Sequence, residues 1–197
     1  MASSREIILS ALRSAAPTPL PIPEPRGIGA RYPDLRQEFA KAVGEVGGRC
    51  VLLSAEGVLE EALSGFSEYS QAKRVASLVA GVDKANVDLA DVKDPHELHD
   101  LDVCVLLGEL GVAENGAVWI REGVAGNRAG WFLAQHMVLV LPGESIVHDL
   151  HQAYERIDAK SRGFGTFISG PSKTADIEQA LVIGAQGPRS CTVLVIG

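Results

Sequence analysis

The sequence predicts an α/β protein: a three-layer arrangement of a sheet covered by helices, preceded by an N-terminal helix and a proline-rich strap. Three observations lead there. Apolar runs of strand length recur between helix-periodic segments, which is the rhythm of a sheet packed under helices. The 197 residues are 46% apolar but only 5% aromatic, an Ala/Val/Leu/Ile core of ordinary globular composition. A chain of this length buries on the order of 70% of its unfolded surface and needs no disulfide staples.

The elements follow in order. Residues 4–15 read as a short amphipathic helix with Ile8, Leu12 and Ala15 on one side. Five of the ten prolines then alternate from Pro17 to Pro25, fixing φ and removing donors, so an extended strap is expected there. Residues 1–32 thus form a leading helix and strap, and 33–197 a single domain. Asp34 is a helix cap before Leu35, Phe39, Val43 and Val46 at helical spacing; Gly47 and Gly48 stop that helix. Residues 49–54 read as a buried strand, 56–63 and 70–79 as helices, 87–89 as a short strand and 95–100 as a short helix. The apolar run at 102–107 is the next strand. Residues 108–120 read as two strands turning at Asn115-Gly116, a tight-hairpin signal. His136 opens an apolar strand to Leu141, closed by Pro142-Gly143. A long helix is expected over 144–158, with Ile146, Leu150, Ala153, Tyr154 and Ile157 inward. Strands at 164–168 and 191–196 finish the chain. Thirteen of the 21 glycines lie in 108–197, which concentrates the tight turns, and the expected site, in that half.

Charge excludes some functions. Eighteen basic against 25 acidic residues give a net −7, which argues against nucleic acid and anionic lipid as partners. The longest apolar stretches fall short of the ~18 residues that span a bilayer, and the first residues do not read as a cleaved signal peptide. Cys50, Cys104 and Cys191 are scattered and none belongs to a Cys-x-x-Cys pair, so a reducing cytoplasm is the expected setting.

No Gly-x-Gly-x-x-Gly follows a strand, so a nicotinamide site has no support. Gly165 and Gly170 carry the gap of a phosphate loop, but Lys173-Thr174 arrives two residues late. The segment Ser169-Gly170-Pro171-Ser172-Lys173-Thr174 still offers hydroxyls, a cation and N–H groups to an anion. It also reads as a turn whose Asp176 caps a helix, with Gln179 completing a capping box. Glu114, before Asn115-Gly116, is either a solvated turn carboxylate or a nucleophile or base on a rigid turn. His96/His99 and His148/His151 are spaced to share a helix face with Asp94, Asp149 or Glu155 as a third ligand, but each pair reads better as a solvated flank, and no metal site is expected. His136, at the mouth of an apolar strand, needs a partner there or acts as a proton acceptor. Arg128 could grip a carboxylate or lie in solvent. The expected site sets a small carboxylate between Arg128, the 169–174 loop and Glu114, with His136 near its hydroxyl.

The strings Ile168-Ser169-Gly170-Pro171-Ser172-Lys173-Thr174-Ala175-Asp176-Ile177-Glu178, Gly184-Ala185-Gln186-Gly187-Pro188, Gly111-Val112-Ala113-Glu114-Asn115-Gly116 and His136-Met137-Val138-Leu139-Val140 resemble the lactate-utilisation protein C family. These are the LUD-domain proteins, also called LutC/YkgG. The resemblance covers roughly residues 100–197, and the N-terminal half agrees in layout. It implies a NagB/RpiA/CoA-transferase-like fold and a role in oxidising L-lactate to pyruvate, as a subunit beside two partners that bear iron–sulfur clusters. This chain has no cluster motif of its own, so it is expected to bind no cofactor alone and to serve as a ligand-binding or scaffolding subunit. One departure stands out: the family has Glu-Thr-Gly where this chain has Glu114-Asn115-Gly116. Glu-Asn-Gly resembles the motif of family I CoA-transferases, whose glutamate attacks an acyl-CoA thioester. A CoA-dependent acyl transferase is therefore one alternative, and a structural adaptor contacting partners through the first helix and strap is another.

Overall fold

The computed structural model describes residues 3–15, 20–21, 27–54, 59–122, 127–158, 163–174 and 182–197. The chain opens with α1 (Ser4–Ser14), closed by a reciprocal capping box between Ser3 and Glu6. α1 buries nothing: Ile7, Ile8 and Leu12 are all exposed. Of the proline run, only Leu20 and Pro21 fall among the described residues. α2 (Leu35–Glu45) begins where expected, with the Asp34 carboxylate accepting the N–H groups of Arg36 and Gln37. Then come β1 (Arg49–Leu53), α3 (Leu59–Ser64), α4 (Ser67–Ser70), β2 (Val75–Ser77) and β3 (Val103–Leu107). The hairpin of β4 (Leu110–Val112) and β5 (Ala117–Arg121) leads to α5 (Ala129–Leu133) and β6 (His136–Pro142). β7 (Ile146–Val147), α6 (Leu150–Arg156), β8 (Gly165–Ile168), β9 (Lys173–Thr174), β10 (Val182–Ile183) and β11 (Ser190–Ile196) complete the order.

Five strands form a wholly parallel sheet in the order β1-β11-β6-β3-β2. Both of its faces are covered, which is why β3, β6 and β11 are almost continuously apolar rather than alternating. Successive side chains go to opposite faces. Met137, Leu139 and Leu141 of β6 join Phe39 and Val43 of α2 and Trp131 of α5. Val138 and Val140 join Leu59, Leu63 and Tyr69 of α3 and α4. A second, four-stranded sheet, β7-β4-β5-β8, lies on the α2 side. Its outer face, with Leu110, Val112 and Ala117, is covered by Ala153 of α6. The α/β layering expected from sequence holds.

Four local expectations are corrected. Residues 70–79 do not form a helix: α4 ends at Ser70 and β2 occupies Val75–Ser77, paired with β3. Val75 and Ala76 are both fully buried, on opposite faces, so their spacing mimics a helix while serving a two-sided strand. The long helix at 144–158 is broken. A 3₁₀ turn (Gly143–Ser145) and β7 precede α6, because Ile146 and Val147 pair with β4 and Asp149 caps the helix by accepting the N–H of Gln152. Residues 87–89 contribute one bridge, Val87 to Ala76, and 95–100 is a 3₁₀ turn at Pro95–Leu98. The 108–120 hairpin turns through four residues, 113–116, with Gly116 at φ +65°. Of the helix expected at 56–63, residues 56–58 lie outside the described residues, and so does the helix expected after Asp176.

Candidate functional site

The strand order locates one cavity of the described residues. From β1 the chain crosses on the α3/α4 face to the far edge, then returns through β3, β6 and β11 by connections on the α2 face. Where neighbouring connections leave on opposite faces, open sheets have a crevice at the carboxyl ends of their strands. A cleft of about 350 Å³ lies at the carboxyl ends of β3, β6 and β11, lined by Leu59, Val79, Ala80, Leu107, Val140, Pro142, Glu144, Ile196 and Gly197. Its described walls are mostly aliphatic, and Glu144 carries the one charged side chain among the described lining residues. The sequence reading missed this cleft. The available signal was positional: Leu107-Gly108-Glu109 and Pro142-Gly143-Glu144 both end buried strands of a doubly covered sheet.

The residues singled out from sequence fall into three places. The first joins the Glu114 turn to the 169–174 loop. The Glu114 N–H donates to His148 O at 3.1 Å, and its Oε2 accepts the Leu150 N–H at 3.3 Å. Asn115 Oδ1 accepts the Ala117 N–H, and Asn115 O accepts the Ser169 hydroxyl at 2.9 Å. Gly170 has φ +72°, and a Cβ there would come within 2.5 Å of Val46 O. Lys173 Nζ donates to that same carbonyl, at the C-terminus of α2, where a cation meets the negative end of the helix dipole. Ser172 donates its N–H to Pro188 O and accepts the Gly184 N–H, and Thr174 pairs with Val182. Asp176 lies outside the described residues. His148, beside the turn, stacks on Tyr32 and accepts the Tyr32 N–H at Nδ1. The buried Asp149 holds Arg31 at 3.2 Å. Sequence alone left the His148/His151 pair as a solvated flank, because the chain that covers His148 comes from residues 29–32, remote in sequence.

Arg128 is elsewhere. Its guanidinium meets the Glu122 carboxylate at 3.3 Å and lies 4.9 Å above the Phe164 ring. Glu122 follows β5 whereas Glu114 precedes it, so the five residues of β5 separate the two ends by about 17 Å. His136 is in the third place. It shares the parity of Val138 and Val140, so it faces the α3/α4 side, while the Glu114 turn packs on α2 through Gly116. The central sheet stands between them. His136 Nδ1 lies 2.8 Å from Ser190 Oγ, and the ring borders a polar pocket of about 300 Å³ with Ser67, Glu68, Gln71 and Asp102. Burial lowers its pKa; Glu68 and Asp102 oppose that and Arg189 adds to it, and the net direction is down. The structure therefore joins Glu114 to Ser169, Gly170 and Lys173, but brings neither Arg128 nor His136 to them.

The thiols are inert by environment. Burial pushes Cys104 and Cys191 up to about 12 and Cys50 to about 11. Cys104 and Cys191 flank Met137 in register, two strand spacings or about 10 Å apart, beyond disulfide reach. Among the described residues no cluster of His, Cys, Asp and Glu is arranged to hold a metal ion, and no helix is long and apolar enough to cross a membrane.

A parallel five-stranded sheet, a second sheet on one face and a crevice at the carboxyl edge define a mixed α/β protein with a carboxyl-edge cleft. The LUD domain family model matches residues 48–196, and the chain belongs to that family. Lactate utilization protein C of Oceanobacillus iheyensis is 30% identical over 101 residues, 48% of this chain and 43% of that protein. The Anoxybacillus flavithermus protein of the same name is 27% identical over 83% of this chain and 70% of its own length. Across the first relatives, such as those of Oceanobacillus iheyensis and Shouchella clausii, this chain spans less than half of the relative's length. The crystal structure of a DUF162 family protein from Deinococcus radiodurans matches with a TM-score of 0.59 at 21% identity, over 83% of this chain and 96% of that one, a likeness of fold.

Proposed function

We propose that this chain serves lactate utilisation as a subunit that binds a small organic ligand and bears no iron–sulfur cluster itself. Oxidation of L-lactate to pyruvate releases two electrons and two protons, and in this reading cluster-bearing partner chains take the electrons. Membership of the LUD family, with relatives named for lactate utilisation, is the observation that carries the proposal. The separated, apolar-buried thiols support it, since a cluster needs several thiolates converging on one point. They also suit a cytoplasmic setting. The ligand is assigned to the carboxyl-edge cleft, where open α/β sheets hold their ligands.

Lactate-dependent dye reduction tests the role. The purified chain alone is expected to show none, and a mixture with the cluster-bearing partners is expected to turn over and to slow when this chain is left out. Turnover by the chain alone would overturn the non-redox assignment. A mixture indifferent to its omission would overturn the role in lactate utilisation.

A further inference from the structure

The carboxyl-edge cleft has a wall of one chemical kind and a single charge. Leu59, Val79, Leu107, Val140 and Ile196 present aliphatic surface, and Glu144 stands at the rim. The wall is built before any ligand arrives. Glu60, next to Leu59 on α3, accepts the Tyr69 hydroxyl at 2.7 Å and the Asp83 N–H at 3.0 Å, and so ties the loop carrying Val79 and Ala80 to α3 and α4. No lysine, arginine or histidine is among the described lining residues. Arg36 comes near, its guanidinium lying against Gly143. It does so from α2, on the opposite face of the sheet from the wall residues Leu59, Val79 and Val140.

We propose that this cleft takes an aliphatic ligand whose head donates hydrogen bonds and carries no negative charge, an alkylammonium above all, with the Glu144 carboxylate accepting from that head. The inference rests on the cleft being the ligand site. Each methylene buried against the wall strengthens binding about fourfold. A second carboxylate a few ångströms from Glu144 is disfavoured, and an ammonium favoured, on the order of tenfold at an exposed rim. Free L-lactate is thereby a poor occupant, which suits a chain that leaves the lactate chemistry to its partners.

Binding of n-butylammonium, 1-butanol and butyrate to the full chain, followed by NMR chemical-shift titration in 0.15 M chloride (about 8 Å screening length), tests the inference. The expected order is ammonium, then alcohol, then butyrate, with at least about tenfold between the first and last. Glu144→Gln should shrink that ratio, since the side-chain charge is gone and the wall is not. Leu107→Trp, at a position 52% exposed and so tolerant of size, should narrow the cleft and weaken all three. Butyrate binding as tightly as butylammonium, or a ratio unchanged in Glu144→Gln, overturns the ligand class while leaving the cleft standing. No saturable binding, or binding unchanged in Leu107→Trp, overturns the cleft itself and the ligand class with it. The dye-reduction experiment stands apart from both.

Discussion

Gly116→Ala should be among the most damaging small substitutions in this chain. Gly116 adopts φ +65°, a conformation that costs an alanine about 1–2 kcal/mol. The new Cβ would also lie 2.7 Å from Val43 N and 2.9 Å from Ala42 C and Val43 Cα. All three atoms are backbone of α2, and α2 is held to the sheet by the fully buried Phe39 and Val43, so it has little room to retreat. Overpacking of this kind adds about 1–3 kcal/mol. The total, about 2–5 kcal/mol, is a large share of the roughly 5–15 kcal/mol that stabilises a typical domain. Gly81→Ala separates the two contributions, because Gly81 has φ +78° but nothing within 4 Å of the added Cβ. Urea unfolding followed by tryptophan fluorescence and circular dichroism should give a loss of about 1–2 kcal/mol for Gly81→Ala. Gly116→Ala should lose at least about 1 kcal/mol more, with the m-value unchanged. Equal losses would refute the claim that the Glu114 turn is wedged against α2.

Other outcomes follow from the same structure. The folded-state pKa of His136 is lowered, so the unfolded chain binds its proton first. Stability should be full above about pH 6.5 and decline as pH falls from there towards the folded value. The urea midpoint should drop between pH 7.5 and 5.5, and less so in His136→Gln; Glu68 and Asp102, lowered carboxylates, act only nearer pH 4. An identical decline in His136→Gln would show that other groups carry it. Iodoacetamide at neutral pH should leave Cys104 and Cys191 unmodified in the native chain and alkylate them in urea, as read by peptide mass spectrometry; rapid native labelling would contradict their burial. Incubation with an acyl-CoA should give no glutamyl-CoA adduct, because Glu114 lines neither the 350 Å³ cleft nor the 300 Å³ pocket. An adduct lost in Glu114→Gln would install transferase chemistry instead.

Much of the fold was legible because single elements carry their own signals. Asp34 before a helical stripe, the apolar runs of β3, β6 and β11, and Asn115-Gly116 between two strands all act locally, and each element formed. The misreadings share one cause. Val75 and Ala76 look helical only because a strand buried on both faces shows no alternation. Ile146 and Val147 look like the start of a helix until β4 offers them a ladder. In both places a partner distant in sequence decided between conformations that the local pattern left equal.

The candidate site was less legible, and the reason is chemical. The most distinctive string, from Ser169 to Lys173, spends its polar groups inside the protein: Ser169 on Asn115, Ser172 on Pro188 and Gly184, Lys173 on Val46. Those bonds clamp the second sheet and the closing strands to the end of α2. A composition rich in glycine, serine and lysine is as necessary for such a clamp as for holding an anion, so residue type alone could not separate the two. The cleft has the opposite property. It is made of leucine, isoleucine and valine at strand ends, indistinguishable in sequence from core, and only the order of strands in the sheet shows that they border an opening. Glu144 is what turns that opening from a packing defect into a selective surface, since one carboxylate over an aliphatic wall prefers a donor head and rejects an anion.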